Sequence, residues 1–352
     1  MTNQKPSLLY FYYKRSSFVD RDIKSLSVNY RVIEFAFRLK KHFLFSDLLR
    51  QLIFILRHWK KTRISVCFFS GYHSFLPAFL SRISRKRCLI IAGGTDCVSF
   101  PAFDYGNFLR QPLKFFTCAS FRMASCISPV HERLIYYPYT YDDNQPPEQG
   151  IKAYCRGITT RMETVYNGYD AGFFSPKGEK KKNSFLTVTY GIGLNYINYL
   201  KGIDLILMTA GSFPDCTFNL VGQLANQFPY PVPANVIFYP QSTQDELLQH
   251  YRENEFYLQL SLSEGFPNSL SEAMLCGCIP IGSDVGGIPD IIQDTGFILI
   301  KKDRDLLQEI IVRALNADRE SLSAKARERI AGEFSVEKRT LNLLTLVKSL
   351  DQ

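Results

Sequence analysis

Short apolar runs of strand length alternate with stretches of helical period along almost the whole chain. SLLYFYY at residues 7–13, ISVCFFSGY at 64–72, CLIIA at 88–92 and CISPV at 126–130 are continuous apolar runs of the kind found in strands buried on both faces. FLTVTY at 185–190, FNLVG at 218–222, VIFY at 236–239, FYLQLSL at 256–262 and FILI at 297–300 repeat the pattern. Helical periods lie between and after them, in residues 73–84, 201–210, 305–315 and 334–350. Strands that alternate with helices predict parallel sheets with crossover helices, an α/β chain. In residues 242–254 Ser242 is the expected helix cap, with a Ser-x-x-Asp box to Asp245 and Glu246 in the first turn. Residues 30–63 alternate bulky apolar groups with Arg and Lys, and their spacing predicts two helices that break near Phe45 and Ser46.

Length and charge sharpen this picture. The 352 residues suffice for two domains, and 46% hydrophobic with 21% charged residues is the composition of a globular protein rather than a disordered one. The formal charge of +9 is concentrated in the front half: residues 1–175 hold 25 Lys or Arg against 12 Asp or Glu, a net of +13. In residues 30–63 the polar positions are mostly basic (Arg31, Arg38, Lys40, Lys41, Arg50, Arg57, Lys60, Lys61 and Arg63), which reads as an element for an anionic membrane surface. Nucleic acid is not an expected partner, since neither a basic helix-turn-helix nor an aromatic platform is evident. The nine cysteines are scattered singly through apolar segments, without Cys-x-x-Cys or zinc spacing, and predict reduced core residues and a cytoplasmic address. The first residues lack the apolar core of a signal peptide, and no run reaches the roughly 18 apolar residues of a membrane span.

The chemistry concentrates in residues 260–292, LSLSEGFPNSLSEAMLCGCIPIGSDVGGIPDII. A buried strand that runs into Glu264, a glycine turn and a helix start delivers a carboxylate and bare amides to the carboxyl edge of a sheet, where open α/β sheets bind ligands. Asn268 or Ser269 is the expected cap. Glu272 lies eight residues beyond Glu264, roughly 12 Å if the interval is helical, so the two acids suit opposite ends of one long polar ligand. The amides of Asn268, Ser269 and Leu270 between them suit an anion.

These residues resemble the Glu-x7-Glu signature of the retaining glycosyltransferases of family four. The likeness rests on Glu264-Gly265-Phe266-Pro267-Asn268, Glu272, Ala273, Gly277, Pro280 and the trailing GSDVGGIPDII. It implies the GT-B fold: two Rossmann-like doubly wound domains facing each other across a cleft, with a C-terminal helix that crosses back to the first. The corresponding division is 1–176 for a basic, acceptor-binding domain, 177–335 for a nucleotide-sugar-binding domain, and 336–352 for the returning helix. Residues 164–176, TVYNGYDAGFFSP, resemble the closing strand of the first domain. By the resemblance Glu264 holds donor-sugar hydroxyls, Glu272 the ribose, and the Gly265–Leu270 amides with Lys201 of a Lys-Gly pair the diphosphate. No cofactor or metal is expected; the nucleoside diphosphate sugar is a co-substrate.

Three departures stand out. No glycine pair follows the first strand, where Asp20 and Asp22 are candidate loop carboxylates. In GGTD, Gly93 stands where the family commonly has a His, which leaves Asp96 as the expected catalytic carboxylate of the first domain, or a cap for the next helix. No arginine occurs between Arg161 and Arg252, so the diphosphate Arg that usually accompanies the Lys is missing. The loop YPYTYDDNQPPEQG at 137–150 is the least family-like part and is expected to shape acceptor specificity. The expected activity is transfer of a sugar to a glycan or lipid-linked saccharide. A GT-B epimerase, a phosphorylase and a sugar- or lipid-binding scaffold without catalysis stay open as alternatives.

Overall fold

The computed structural model describes residues 5–38 and 44–351. The chain divides into two compact units, one of Met1–Pro138, Glu148–Tyr166 and Glu337–Gln352, the other of Tyr139–Pro147 and Asn167–Val336. The division after Tyr166 falls earlier than the expected boundary near residue 177. Residues 164–176 form no strand of their own: beside the first sheet, Glu163 and Val165 donate amides to Ile127 and Pro129 carbonyls, while Tyr169 bridges to Ser335 in the second unit.

In the first unit five strands form one parallel sheet of order β2-β1-β3-β4-β5: β1 Ser7–Tyr12, β2 Arg31–Ala36, β3 Thr62–Phe68, β4 Arg87–Ala92 and β5 Cys126–Pro129. Every residue of β1 is buried, as its unbroken apolar run requires of a strand covered on both faces. The expectation of two helices in residues 30–63 is corrected in its first half. Arg31–Ala36 is the edge strand β2, paired in register with β1, and only Leu44–His58 is a long helix. Edge position explains the misreading: β2 is only partly buried, so charge intrudes on its alternation and blurs the two-residue period. Lys40 and Lys41 lie outside the described residues.

Two-residue strands β6 (Tyr137–Pro138) and β7 (Glu148–Gln149) pair antiparallel at the base of the 139–147 loop, and the loop itself belongs to the second unit. That unit holds a six-stranded parallel sheet of order β10-β9-β8-β11-β12-β13: β8 Lys181–Ile192, β9 Thr217–Gln223, β10 Val236–Pro240, β11 Asn254–Gln259, β12 Ile279–Ser283 and β13 Phe297–Leu299. Its core stacks Phe185 between Phe218 and Phe256, with ring centroids 5.0 and 4.7 Å away. The Gln244–Glu253 helix is capped by Thr243, not Ser242, in a box whose acid is Glu246; both helix signals were real but sit one residue later.

Most of the Val336–Asp351 helix returns to the first unit. Leu343, Leu346, Val347 and Leu350 are buried, whereas Leu341 is exposed. Arg339, 5% exposed, donates from Nε and Nη2 to one Asp22 oxygen at 2.9 and 2.7 Å and from Nη1 to the carbonyls of Val165 and Tyr166. Tyr10 donates its hydroxyl to the other Asp22 oxygen at 3.1 Å. Asp22 is therefore an internal anchor on the Ser17–Leu26 helix, not the loop carboxylate that the sequence suggested. Cysteine chemistry needs one correction too. Cys118 and Cys155 form a disulfide between segments 37 residues apart, a separation with no motif to announce it, while seven other cysteines are buried thiols.

Candidate functional site

The second unit brings together every expected donor-side residue. Strand β11 ends at Gln259, and Leu260 and Leu262, both fully buried, pin the loop that carries Glu264. Leu262 donates its amide to the Leu200 carbonyl at 2.8 Å, tying this loop to the end of the Asn195–Leu200 helix, where Lys201 is the C-terminal cap. Gly202 follows with φ 71°, and a side chain there would meet the Leu260 carbonyl oxygen at 2.3 Å, so the Lys-Gly pair is a condition of this close approach. The result is an ion pair: Lys201 Nζ lies 2.6 Å from Glu264 Oε1, with the two side chains 21% and 16% exposed.

Gln259 extends the cluster. Its Nε2 donates to Ser261 Oγ at 2.8 Å and to Glu264 Oε1 at 3.2 Å, while its Oε1 accepts from Ser269 Oγ at 3.3 Å. The sequence pointed to Gln259 only as a lone amide in an apolar strand, and its role went unread. The glycine pair of GSDVGGIPDII supports the loop from behind. Gly286, at φ 51°, packs so closely on the Glu264 carbonyl that a Cβ would lie 1.8 Å from its oxygen, and Gly287 donates its amide to the Gly265 carbonyl at 2.9 Å. Phe266 anchors the turn against the Tyr169 and Phe334 rings.

Asn268 and Ser269 do not cap the Asn268–Leu275 helix, as the sequence led one to expect. Pro267 is its N-cap and offers no side-chain acceptor; Asn268 Oδ1 instead accepts from the Tyr169 hydroxyl at 2.8 Å, and Ser269 turns to Gln259. An N-terminus without a side-chain cap leaves its first-turn amides and the positive end of its dipole for another acceptor. Further along the helix, Glu272 accepts from the Tyr251 hydroxyl at 3.2 Å. Burial first, then the Glu272 charge, pushes that phenol well above its ordinary range, so Tyr251 remains a donor that fixes Glu272.

The loop after β6 also serves this site. Tyr139 donates its hydroxyl to the Leu262 carbonyl at 3.1 Å, and Asp142 accepts from the Tyr199 hydroxyl at 3.2 Å on the helix that leads to Lys201. Behind them Lys302 pairs with Asp204 in a nearly buried contact, where burial lowers the lysine's pKa and raises the aspartate's.

Asp96 lies in the first unit and is 1% exposed. Its Oδ2 accepts the Ser70 amide at 2.8 Å and its Oδ1 the Gly93 and Gly94 amides at 3.1 Å each, which laces the ends of β3 and β4 together. Burial raises its pKa against those three amides. Gly93 has no room for a larger residue: a Cβ there would lie 1.7 Å from the ring of Phe69, which itself sits at φ 67°. The spacing Asp-x-Asp, a possible metal pair, occurs at Asp20–Asp22 and Asp303–Asp305. Arg339 occupies Asp22 and Asp303 caps a helix, and among the described residues no three His, Cys, Asp or Glu gather as metal ligands.

Residues 179–330 match the family described as glycosyl transferases group 1. A phosphatidylinositol N-acetylglucosaminyltransferase component from Arabidopsis thaliana is 21% identical over 63% of this chain and 48% of its own length. The chain spans about half the length of the curated relatives it matches, 48% and 59% of two of them. Among solved structures, a sucrose-phosphate synthase from Thermosynechococcus elongatus matches with TM-score 0.73 at 16% identity, over 98% of this chain and 99% of that one. Anabaena HepE, solved in complex with UDP-glucose, matches with TM-score 0.69 at 14% identity, over 97% and 99%. These likenesses carry the fold. The segment that holds Lys201, Glu264 and Glu272 is thus the one that matches the glycosyl transferases group 1 model, in a chain with the two parallel sheets of the GT-B fold.

Proposed function

We propose that this protein is a retaining glycosyltransferase that moves a sugar from a nucleoside diphosphate donor to a glycan or lipid-linked saccharide, working at the cytoplasmic face of a membrane. The observation that carries the reading is the Lys201–Glu264 pair at 2.6 Å, beside a helix that starts at Pro267 with no side-chain cap. In this reading the Lys201 ammonium and the first-turn amides of Asn268, Ser269 and Leu270 hold the diphosphate. They stabilise the charge that gathers on the leaving phosphate as the glycosidic bond breaks, and fixed donors do so with little reorganisation. Glu264, oriented by Lys201 and Gln259, takes hydroxyls of the donor sugar. Glu272, held by Tyr251, takes the ribose. These groups perform the clamp without a metal or a resident cofactor. The Arabidopsis relative acts on a phosphatidylinositol, which supports a lipid-borne acceptor, and the UDP-glucose complex of HepE supports a uridine donor among the candidates. Asp96 contributes by holding the β3 and β4 ends.

A binding scaffold without turnover is the second reading, favoured by Phe69, whose ring fills the space beside Gly93. One panel separates the two. Purified protein is heated with UDP-, GDP- and ADP-sugars, and nucleotide release is followed with and without acceptor extract. A transferase is stabilised by one donor class, by a few kcal/mol at saturation, and releases its nucleotide when acceptor is added. Stabilisation without release in the presence of any acceptor supports the scaffold, and no stabilisation by any donor removes both.

A further inference from the structure

We propose that the Leu44–His58 helix is a docking face for an anionic lipid bilayer, a surface that rests on the membrane placement proposed above and assigns it to particular side chains. Four large apolar residues of this helix face solvent: Phe45 is 82% exposed, Leu49 50%, Ile53 45% and Leu56 60%. Steps of four, four and three residues at about 100° each place them within one stripe about 80° wide. The opposite face is already used, with Asp47, Gln51 and Ile55 buried. Asp47 is the only acid of the helix, and it is turned inward to Arg50 and the Arg38 amide. A soluble helix of the usual kind has its outer face polar; here the apolar stripe is outermost, and water is a poor solvent for it.

Cations flank the stripe. Arg57 lies beside it, and a hollow of about 440 Å³ opens at its far end, lined by Arg31, Leu56, Arg57, Lys60 and Lys61 among others. Among the described residues no acid pairs with any of these four cations. On the side toward β2, Glu34 is tied to Arg15 and Tyr12. The stripe and the hollow therefore ask for two things at once, an apolar phase and phosphate. Nucleic acid satisfies the cations and leaves the stripe wet. A second copy covers the stripe with a helix whose one acid is turned inward, and leaves the cations unmatched. A bilayer with anionic headgroups satisfies both, with apolar side chains at the acyl boundary and each nearby Lys or Arg adding about 1 kcal/mol of attraction. At about 1.5 Å per residue the helix is roughly 22 Å long, and it lies along the surface. No helix among the described residues is long and apolar enough to cross a membrane.

The test uses the full chain and sedimented vesicles, one set of phosphatidylcholine alone and one of equal parts phosphatidylcholine and phosphatidylglycerol. The expected result is binding to the mixed vesicles only, lost on raising salt. Lys60→Gln with Lys61→Gln weakens it by about thirtyfold, and Leu49→Gln with Ile53→Gln by at least about tenfold. Both double variants keep the wild-type melting temperature and donor response, because the four side chains are exposed and remote from Lys201 in the chain. Equal binding to both vesicle types, or unchanged binding by either variant, overturns the proposal. So does full binding of the Leu49/Ile53 variant that a DNA oligonucleotide competes away, or a wild-type dimer that the same variant converts to monomer. Vesicle binding without any response to nucleotide sugars upholds the docking face and rejects the transferase. A donor response without vesicle binding does the reverse.

Discussion

Lys201 Nζ and Glu264 Oε1 are 2.6 Å apart, and each is held by its own chain neighbours before any ligand arrives: Lys201 by the turn into Gly202, Glu264 by Gln259 and the Gly286 contact. A pair this organised is costly to halve. Under the proposed function, Lys201→Ala is expected to lower kcat/KM for the donor by about 100-fold or more, since it removes the cation proposed to hold the diphosphate and frees Glu264 to turn. Glu264→Gln keeps the shape and the contact with Gln259 but loses the charge, and is expected to cost a similar factor in kcat with the fold intact. Steady-state kinetics with melting curves on both variants provide the check. Wild-type turnover by Glu264→Gln is the outcome that removes this site.

The 139–147 loop predicts an effect at a distance in sequence. Tyr139→Phe deletes the donor to the Leu262 carbonyl, two residues before Glu264, and leaves a buried oxygen unpaired at a cost of about 1–3 kcal/mol. Local opening of the Glu264 loop should rise accordingly. Hydrogen exchange at the Leu262 and Gly287 amides, which bond to the Leu200 and Gly265 carbonyls, is expected to quicken by about tenfold or more, with exchange elsewhere unchanged. Unchanged exchange at those amides means that the tyrosine only fills space.

Much of this was legible in sequence because burial on both faces leaves a simple mark. The unbroken apolar runs at β1, β3, β8 and β11 were found where the structure has them. The Glu264 stretch was legible for a different reason: strand, glycine turn and helix start are local, and their order fixes which side chains reach the sheet edge. What was missed depends on partners distant along the chain. Strand β2 read as helix because it is an edge strand, only partly buried, whose alternation is blurred by charge. Asp22 read as a loop carboxylate because Arg339, more than three hundred residues away, could not be foreseen. Asp96 read as reactive because three backbone amides on two strand ends claim it only in three dimensions. The cap on the Asn268–Leu275 helix was missed because Asn268 and Ser269 found better partners in Tyr169 and Gln259.

The Asp22–Arg339 pair ties the last helix into the first unit and gives a stability prediction. Asp22 is fully buried and Arg339 nearly so. Arg339→Leu strands a buried carboxylate and is expected to destabilise the first unit by about 3–5 kcal/mol. Asp22→Asn combined with Arg339→Leu removes the stranded charge and is expected to recover part of that loss, so the cycle is non-additive. Urea unfolding of the three variants measures it; strict additivity would mean that the two side chains do not act together.

His73 sets a pH dependence whose sign follows from its surroundings. The imidazole is fully buried beside the Tyr13 and Phe37 rings, donates from Nε2 to the Phe68 carbonyl at 2.8 Å, and has no partner at Nδ1. Burial lowers its pKa from 6.5 to about 4 despite that carbonyl. Between these two values the unfolded chain carries a proton that the folded chain refuses, so the His73 contribution is intact above pH 6.5 and is lost as pH falls toward 4. The loss amounts to about 3 kcal/mol at most. His73→Gln can keep a donor for the Phe68 carbonyl but does not titrate. Unfolding free energies of wild type and variant, compared from pH 8 to pH 4, are expected to differ by a constant amount above neutrality. Below it, the wild type loses stability relative to the variant. Other carboxylates titrate alike in both proteins and cancel in the difference. A difference that stays flat down to pH 4 means the imidazole is protonated inside the fold, and the unpartnered Nδ1 has found an acceptor.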